Sequence, residues 1–321
     1  MESSGARRGR RARRSRRRPL LYAALAAVAV GGITAGGTVC VKARAHSGGA
    51  AVSSAATPSA GPSAGSAGAR EEASMEPVTE QAVDRDALLG RAMAAVGVPA
   101  GAKVSAAVLA LDSGQSAVYG DAAFDTASIV KVDILAALLL QAQDAGRRLT
   151  AAERAYATKM IENSDNASAT ALWHTIGQAA GLDAANRRFG LTRTTGGDGG
   201  LWGLTQTTAT DQLVLLRQVF GDDSELSAAS RTYVQGLMKA VQADQQWGVS
   251  AAAQGNSWAL KNGWLARSTT GLWVVNSIGR VTVDGTGYLV AVLSNGTASQ
   301  ARGISLVEAA AQAAVAVCGD K

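Results

Sequence analysis

The stretch Asp125-Thr126-Ala127-Ser128-Ile129-Val130-Lys131 opens an apolar run that continues to about residue 145. Apolar residues occupy most positions of this run, which predicts a helix buried in the core of a domain. Ser128 and Lys131 are three positions apart, so on a helix they share one face about one turn apart. A neutral lysine amine there can take the serine proton and create a nucleophile without a histidine.

Composition excludes several other chemistries. The two histidines are His46, in an apparent linker, and His174, so a Ser-His-Asp triad or a His-rich metal site is hard to build. The two cysteines, Cys40 and Cys318, form no Cys-x-x-Cys pair, which excludes zinc ribbons and dithiol redox chemistry. We therefore expect no metal and no organic cofactor.

Charge divides the chain into an N-terminal segment and a globular part. Residues 1–45 carry 11 of the 31 Lys and Arg residues and one acid, whereas residues 46–321 carry the other 20 together with 24 acids. The globular part is therefore mildly acidic, and we expect no nucleic-acid partner.

The N-terminal pattern is typical of export. Residues 1–18 are Arg-rich and predicted to be cytoplasmic, and residues 19–41 are an uncharged run that is long enough to cross a bilayer. This run is a signal anchor, or a signal peptide cleaved near Ala43-Arg44-Ala45. An Ala/Ser/Gly/Pro-rich linker, residues 42–82, precedes a domain predicted over residues 83–321. Either alternative places the domain outside the cytoplasm, anchored to the membrane or secreted.

Hydrophobic periodicity predicts an α+β fold for this domain. The order is a helix, two strands, a helical block, three strands and a final helix. Strands from both ends of the chain would join in one five-stranded antiparallel sheet flanked by helices, and the helical block would form an all-helical lobe. The cleft between the sheet and the lobe is the expected site, in a protein expected to be a monomer.

Two further motifs follow Ser128-x-x-Lys131. Ser164-Asp165-Asn166 lies at a predicted helix junction, where such residues also serve as ordinary helix caps. Lys261-Asn262-Gly263 lies on a predicted strand, although Asn-Gly is also a common turn pair. Gly263 would let a substrate backbone approach closely.

The three motifs together, in this order, resemble those of the class A β-lactamase and penicillin-binding-protein superfamily of active-site serine hydrolases. The resemblance covers about residues 83–321. It implies that Ser128 is the acylated nucleophile, Lys131 its base partner and Ser164 the proton shuttle to the leaving nitrogen. It further implies roles in substrate binding and in the oxyanion hole. Asn166, Lys261, Asn262 and Gly263 would bind substrate, and the backbone N–H groups of Ser128 and Trp264 would form the oxyanion hole.

The sequence departs from the family pattern in two places. Asn262 stands where the family usually has a hydroxyl residue, although an amide can still donate to a carboxylate. The omega-loop glutamate that activates the deacylating water has no counterpart in residues 191–208, where the one acid is Asp198. Asp198 is either a substitute deacylation base or a solvated turn residue. Without a base, an acyl-enzyme formed from a β-lactam should persist.

These patterns favour an exported serine hydrolase that forms an acyl-serine with a β-lactam or a D-Ala-like amide of the peptidoglycan type. Two alternatives stay open. One is a D,D-peptidase or penicillin-binding protein of cell-wall metabolism, and the other is a non-catalytic module that binds cell wall or β-lactam.

Overall fold

A five-stranded antiparallel sheet runs through the computed structural model, which describes residues 83–319. The expectations for residues 1–18, 19–41 and 42–82 lie outside the described residues. The strand order across the sheet is β2-β1-β7-β6-β5, so strands from the two ends of the chain are neighbours. The strands are β1 (Lys103–Ala110), β2 (Ser116–Tyr119), β5 (Trp258–Ala266), β6 (Trp273–Val283) and β7 (Thr286–Thr297). The predicted α+β class and five-stranded sheet are confirmed.

Both faces of the sheet are buried. Because side chains alternate along a strand, Ala106 of β1 belongs to one apolar cluster and Ala107 to the other. The first face is covered by α1 (Arg85–Ala94) and α8 (Gln300–Gly319). By length and composition α8 is apolar enough to cross a membrane, but it packs on the sheet, as core helices of soluble proteins also do.

The helical lobe covers the other face and is built around α2 (Val130–Asp144). Most side chains of α2 are buried, which explains why its sequence is apolar on nearly every side. The surrounding helices are α3 (Ala151–Glu162), α4 (Asn166–Thr175), α5 (Gln178–Phe189), α6 (Ala209–Phe220) and α7 (Ala228–Lys239).

Helix α5 is absent from the sequence-based expectation. Gly177 and Gly190, both in the left-handed conformation, delimit it. Because glycine favours the left-handed conformation found at helix ends, these two glycines are a signal in the sequence from which the helix could have been predicted.

The segment before α2 is also more structured than expected. A short pair of strands, β3 (Phe124–Asp125) and β4 (Gln206–Thr207), ties this segment to the loop that precedes α6. One turn of 3₁₀ helix, Ala127–Ile129, then leads into α2. Ser128 therefore lies in a tight turn held at both ends, not in the first turn of the α-helix itself.

Candidate active site

Ser128 is held by the backbone that precedes it. The amide of Thr126 donates to the carbonyl of Thr205 (2.9 Å), and Nδ2 of Asn276 donates to the carbonyls of Asp125 (2.9 Å) and Thr126 (3.0 Å). Ala127 takes a left-handed conformation, φ 48°, which a residue with a side chain adopts at a cost. This fixed turn presents Ser128 at the start of α2.

Lys131 is the centre of the site. Its Nζ lies 3.0 Å from Ser128 Oγ, 3.1 Å from Ser164 Oγ, 2.6 Å from the Ser164 carbonyl and 2.8 Å from Asn166 Oδ1. The carbonyl and amide oxygens are acceptors only, so they take two of the amine hydrogens. A neutral amine then keeps its lone pair for a hydroxyl, and Ser128 Oγ is within reach to donate its proton.

Burial makes this neutral form accessible. The Lys131 side chain is fully buried. Loss of solvation lowers the pKa of Lys131 from 10.5 to about 7, although the carboxylate of Asp165 acts in the opposite direction. At neutral pH a large fraction of Lys131 is therefore unprotonated and able to act as a base.

Ser164 bridges two lysines. Its Oγ accepts a hydrogen bond from Lys261 Nζ at 3.0 Å and also lies within 3.1 Å of Lys131 Nζ. Burial, followed by repulsion from Lys131, lowers the pKa of Lys261 well below its ordinary value. Two buried ammonium groups so close to one hydroxyl are costly, which favours a state with one neutral lysine. Ser164 itself is left-handed, φ 54°, so its position is enforced by the surrounding structure.

Asn166 complements this pair. Its Oδ1 faces Lys131, so its Nδ2 stays available as a donor at the exposed start of α4. The neighbouring Asp165 accepts from the Ser168 amide (2.7 Å) and caps the helix. One motif thus serves both as a helix cap and as part of the site.

The backbone of strand β5 packs directly against the Ser128 turn. A Cβ at Gly263 would lie 2.7 Å from Ser128 N and 2.8 Å from Ile129 N, closer than real Cβ contacts occur. Glycine is therefore required here for close approach of two backbones. The contact brings the Ser128 amide beside the backbone of Gly263, the residue before Trp264.

The alternation of β5 separates its residues between the two faces. Lys261 and Gly263 face the helical lobe, whereas Asn262 faces the opposite side. Nδ2 of Asn262 donates to the carbonyls of Gln245 (2.8 Å) and Trp247 (2.9 Å). Both amide hydrogens are thus engaged, and Asn262 would have to break these bonds to donate to a substrate carboxylate.

The glycine-rich loop, residues 194–205, brings an aromatic residue to the site. The ring centroid of Trp202 lies 5.0 Å from Lys131 Nζ, and its Nε1 donates to Thr170 Oγ1 at 3.1 Å. Asp198 lies on an exposed turn of the same loop, where its backbone carbonyl accepts from the Leu201 amide. Among the described residues, the hydrogen bonds of Ser128, Lys131, Ser164 and Lys261 include none to a carboxylate.

Several residues that support the site were missed by the sequence reasoning. Asn276 was one of many strand residues, and nothing in its spacing marked it. Asp125 and Arg267 form an ion pair of 2.6 Å that joins β3 to the end of β5. Arg267 is therefore already paired. An amide or ion pair between distant strands leaves no local signal in a single sequence.

A buried polar cluster lies beneath the site. Asp133 on α2 is almost fully buried, and within residues 83–319 no donor meets either of its carboxylate oxygens in hydrogen-bond geometry. Burial raises the pKa of Asp133 to about 8. Asn186 alongside it acts to lower that pKa, while Asp183 and Asp211 act to raise it. Asp133 is therefore mainly protonated at neutral pH.

A cavity of about 580 Å³ adjoins the site between the glycine-rich loop and the end of β5. Trp202, Leu265 and Arg267 line it, and Leu201 is exposed at its rim. The volume of this cavity is sufficient for a ligand of moderate size. Within residues 83–319, no cluster of three or more His, Cys, Asp or Glu side chains is arranged to hold a metal ion.

Comparison with protein families relates this chain to known proteins. The model described as the Beta-lactamase enzyme family matches residues 140–318. The chain belongs to this family. The match begins after Lys131, so the pairing of Ser128 with Lys131 rests on the geometry described above. No curated protein matches the chain.

Several solved structures share the fold of this chain. A PBP-A mutant determined as an acyl-enzyme complex with penicillin G is 23% identical, with 71% of this chain and 94% of that chain covered and a TM-score of 0.61. A β-lactamase from Xanthomonas campestris is 21% identical, with 74% and 100% covered and a TM-score of 0.61. The TLA-1 extended-spectrum β-lactamase is 14% identical, with 74% and 100% covered and a TM-score of 0.66. At these identities the likeness concerns the fold alone.

Proposed function

We propose that this chain is an exported active-site serine hydrolase that forms an acyl-serine at Ser128 with β-lactams or D-Ala-like amides. The observation that carries this proposal is the 3.0 Å distance between Lys131 Nζ and Ser128 Oγ, with the pKa of Lys131 lowered to about 7. A base whose pKa lies near the working pH is efficient in proton transfer.

Acylation follows from these contacts. Lys131 removes the proton of Ser128 as Oγ attacks the carbonyl carbon of the amide. The backbone N–H groups of Ser128 and Trp264 receive the negative charge that develops on the carbonyl oxygen, a type of contact worth about 3–4 kcal/mol. Ser164, bridged between Lys131 and Lys261, passes its proton to the leaving nitrogen as the C–N bond breaks, and it takes back the proton that Lys131 received from Ser128. The product is an ester on Ser128, with an amine that departs from a peptide substrate and stays tethered to the acyl group of an opened β-lactam.

Substrate binding is assigned to the open side of the same cluster. Asn166 Nδ2 donates to the amide carbonyl on the acyl side of the substrate. Lys261 binds the substrate carboxylate, whose negative charge favours the protonated form of this buried lysine. Gly263 contributes through the close approach of β5 to the Ser128 turn. Asn262 takes part through its backbone, since its amide hydrogens are engaged by Gln245 and Trp247.

Hydrolysis of the ester is the slow step in this proposal. No carboxylate is hydrogen-bonded to the cluster in the described residues, and Asp198 lies on an exposed turn. Within the family, these features favour a penicillin-binding type of behaviour, with a long-lived β-lactam adduct, over rapid β-lactam turnover. The alternative of a non-catalytic module is opposed by the intact Lys131 and Ser164 contacts.

The remaining assignments are also part of the proposal. Residues 1–18 lie in the cytoplasm, residues 19–41 anchor the chain or are cleaved, and the linker 42–82 holds a monomeric domain outside. The substrate is a β-lactam or a peptidoglycan-type peptide, without a nucleic-acid partner or a cofactor.

A chromogenic cephalosporin tests this function. We expect a burst of colour of one equivalent per protein, followed by a slow steady rate. Continuous rapid colour would identify a β-lactamase instead, and absence of both burst and adduct would favour the non-catalytic alternative. Cleavage of stem peptides that end in D-Ala-D-Ala would then establish the peptidase activity.

A further inference from the structure

Trp202 is the residue of the glycine-rich loop that faces the catalytic lysine. The loop fixes it in one turn of 3₁₀ helix, Trp202–Leu204, in which the amide of Thr205 donates to the Trp202 carbonyl at 3.1 Å. Thr205 in turn accepts from Thr126, two residues before Ser128. The Nε1 bond to Thr170 anchors the other edge of the indole to α4. The ring is therefore held from both sides, in a fixed position relative to Ser128.

The ring leaves no room for a water molecule between itself and Lys131. A water hydrogen-bonded to Nζ needs about 2.9 Å on that side, and packing against the ring face needs about 3.5 Å more. The sum of about 6 Å exceeds the 5.0 Å between Nζ and the ring centroid. The other neighbours of Nζ are Ser128, Ser164 and Asn166, which occupy its remaining sides.

We infer that Trp202 sets the lifetime of the acyl-enzyme by keeping water off Lys131. This inference rests on the proposed acyl-serine chemistry. Hydrolysis needs a water that gives its proton to Lys131 while its oxygen attacks the ester carbon. The proton then passes to Ser128 Oγ as the C–Oγ bond breaks, which releases a carboxylic acid and the free serine. In acylation Lys131 needs only the serine, which is already in contact, so the ring hinders the second step and not the first.

The test follows the adduct by intact mass. The purified full-length chain is saturated with penicillin G, freed of excess ligand and sampled over time at a pH above the pKa of Lys131. We expect Trp202→Ala to be acylated fully and to lose its adduct at least about tenfold faster than the wild type, since access to a general base is worth about 10²–10⁴ in rate. Trp202→Phe keeps an apolar ring over the amine and should stay close to the wild type. Trp202→Leu should fall between them, and serves if the alanine variant is unstable.

A matched control comes from a second lysine–tryptophan pair. Lys239 Nζ lies 4.6 Å from the ring centroid of Trp258, which is at the start of β5 and outside the cluster. Trp258→Phe should leave the adduct lifetime unchanged. The inference is overturned if Trp202→Ala is acylated but keeps its adduct as long as the wild type, or if Trp202→Phe accelerates loss as much as Trp202→Ala. If the wild type forms no adduct at all, the proposed acyl-serine function itself is refuted. This outcome differs from the two above, in which the adduct forms but Trp202 does not control its lifetime.

Discussion

The lysine–serine cluster (Ser128, Lys131, Ser164 and Lys261) and the glycine-rich loop lie side by side but are built differently. Every member of the cluster is tied to another by a hydrogen bond of 3.0 or 3.1 Å, and its two lysines are fully buried. The loop carries five glycines and an exposed Asp198, and it reaches the cluster through Trp202. Under the proposed function the cluster carries out acylation, whereas the loop, through Trp202, decides whether water reaches the cluster for hydrolysis.

The largest expected effect comes from removing the base of the cluster. Lys131→Met should slow acylation by penicillin G by about 10²–10⁴. In the wild type, acylation should rise with pH and level off above about 7, because the neutral amine accumulates as pH passes the lowered pKa of Lys131. The rate of adduct formation measures both the effect of Lys131→Met and the pH dependence of the wild type. Lys239→Met is the control, and an acylation rate independent of pH would contradict the role of Lys131.

The second effect concerns the contact between β5 and the Ser128 turn. Gly263→Ala places a methyl group 2.7 Å from Ser128 N, so either the turn or the strand must move. We expect acylation to fall by about 10²-fold, since small displacements of reacting groups have effects of this size. Gly236→Ala, on α7 with open space around it, should react normally and gain up to about 1 kcal/mol of stability. Equal acylation rates in the two variants would show that the contact is not needed.

A third, smaller effect tests the positioning of Ser128 by Asn276. Asn276→Asp removes the donors to the Asp125 and Thr126 carbonyls and sets a carboxylate against them. We expect acylation at saturating penicillin G to slow by about tenfold, with a lower melting temperature, because a buried acceptor left unpaired costs about 1–3 kcal/mol. Asn276→Ala removes the hydrogen bonds without adding a repelling carboxylate, so its acylation rate and melting temperature should fall less than those of Asn276→Asp. A change in melting temperature without a change in the acylation rate would assign Asn276 to folding alone.

The fourth prediction concerns stability, not activity. Because the pKa of Asp133 is raised in the folded state to about 8, its contribution to stability is fully present below the unfolded pKa of about 4 and is lost as pH rises toward 8. Asp133→Asn should therefore raise the melting temperature near pH 8 and reduce its decline between pH 5 and 8. The expected gain is on the order of a few kcal/mol. Thermal melts at several pH values measure it, and an unchanged slope would exclude Asp133 as its source.

The smallest effect is expected at the exposed turn of the loop. Asp198→Asn should leave both acylation and the lifetime of the adduct unchanged, because the Asp198 side chain is exposed and the residue bonds to Leu201 through its backbone carbonyl. Intact mass over time checks this. A marked increase in adduct lifetime would instead identify Asp198 as the deacylation base and contradict the proposal that no carboxylate takes part in hydrolysis.

The sequence predicted the parts of the fold that depend on local pattern. The apolar runs of β1, β7 and α2 and the capping residues before α4 each marked their elements, and the structure confirms these elements. Helix α5 was not predicted, because its apolar face is narrow and its flanking residues Gly177 and Gly190 are as typical of loops as of helix ends. The two-residue strands β3 and β4 are too short to leave a pattern.

For the site, spacing alone predicted that Ser128 lies beside Lys131, because residues three positions apart on a helix share one face. The meeting of Lys131 with Ser164 and Lys261 could be expected only from the resemblance of the three motifs, since it joins residues from α2, the turn before α4 and β5. The role of Trp202 could not be predicted at all. It depends on how a loop folds over a lysine far away in the chain.

Mapping the penicillin G adduct tests the central claim most directly. Trypsin is expected to cut after Lys103 and Lys131, giving a peptide over residues 104–131 that contains Ser105, Ser113, Ser116 and Ser128. Fragmentation of this peptide locates the adduct among the four serines. We predict one penicilloyl group per protein, on Ser128, that persists after excess ligand is removed. An adduct on another residue, or penicillin G consumed in many turnovers without any adduct, would contradict the account.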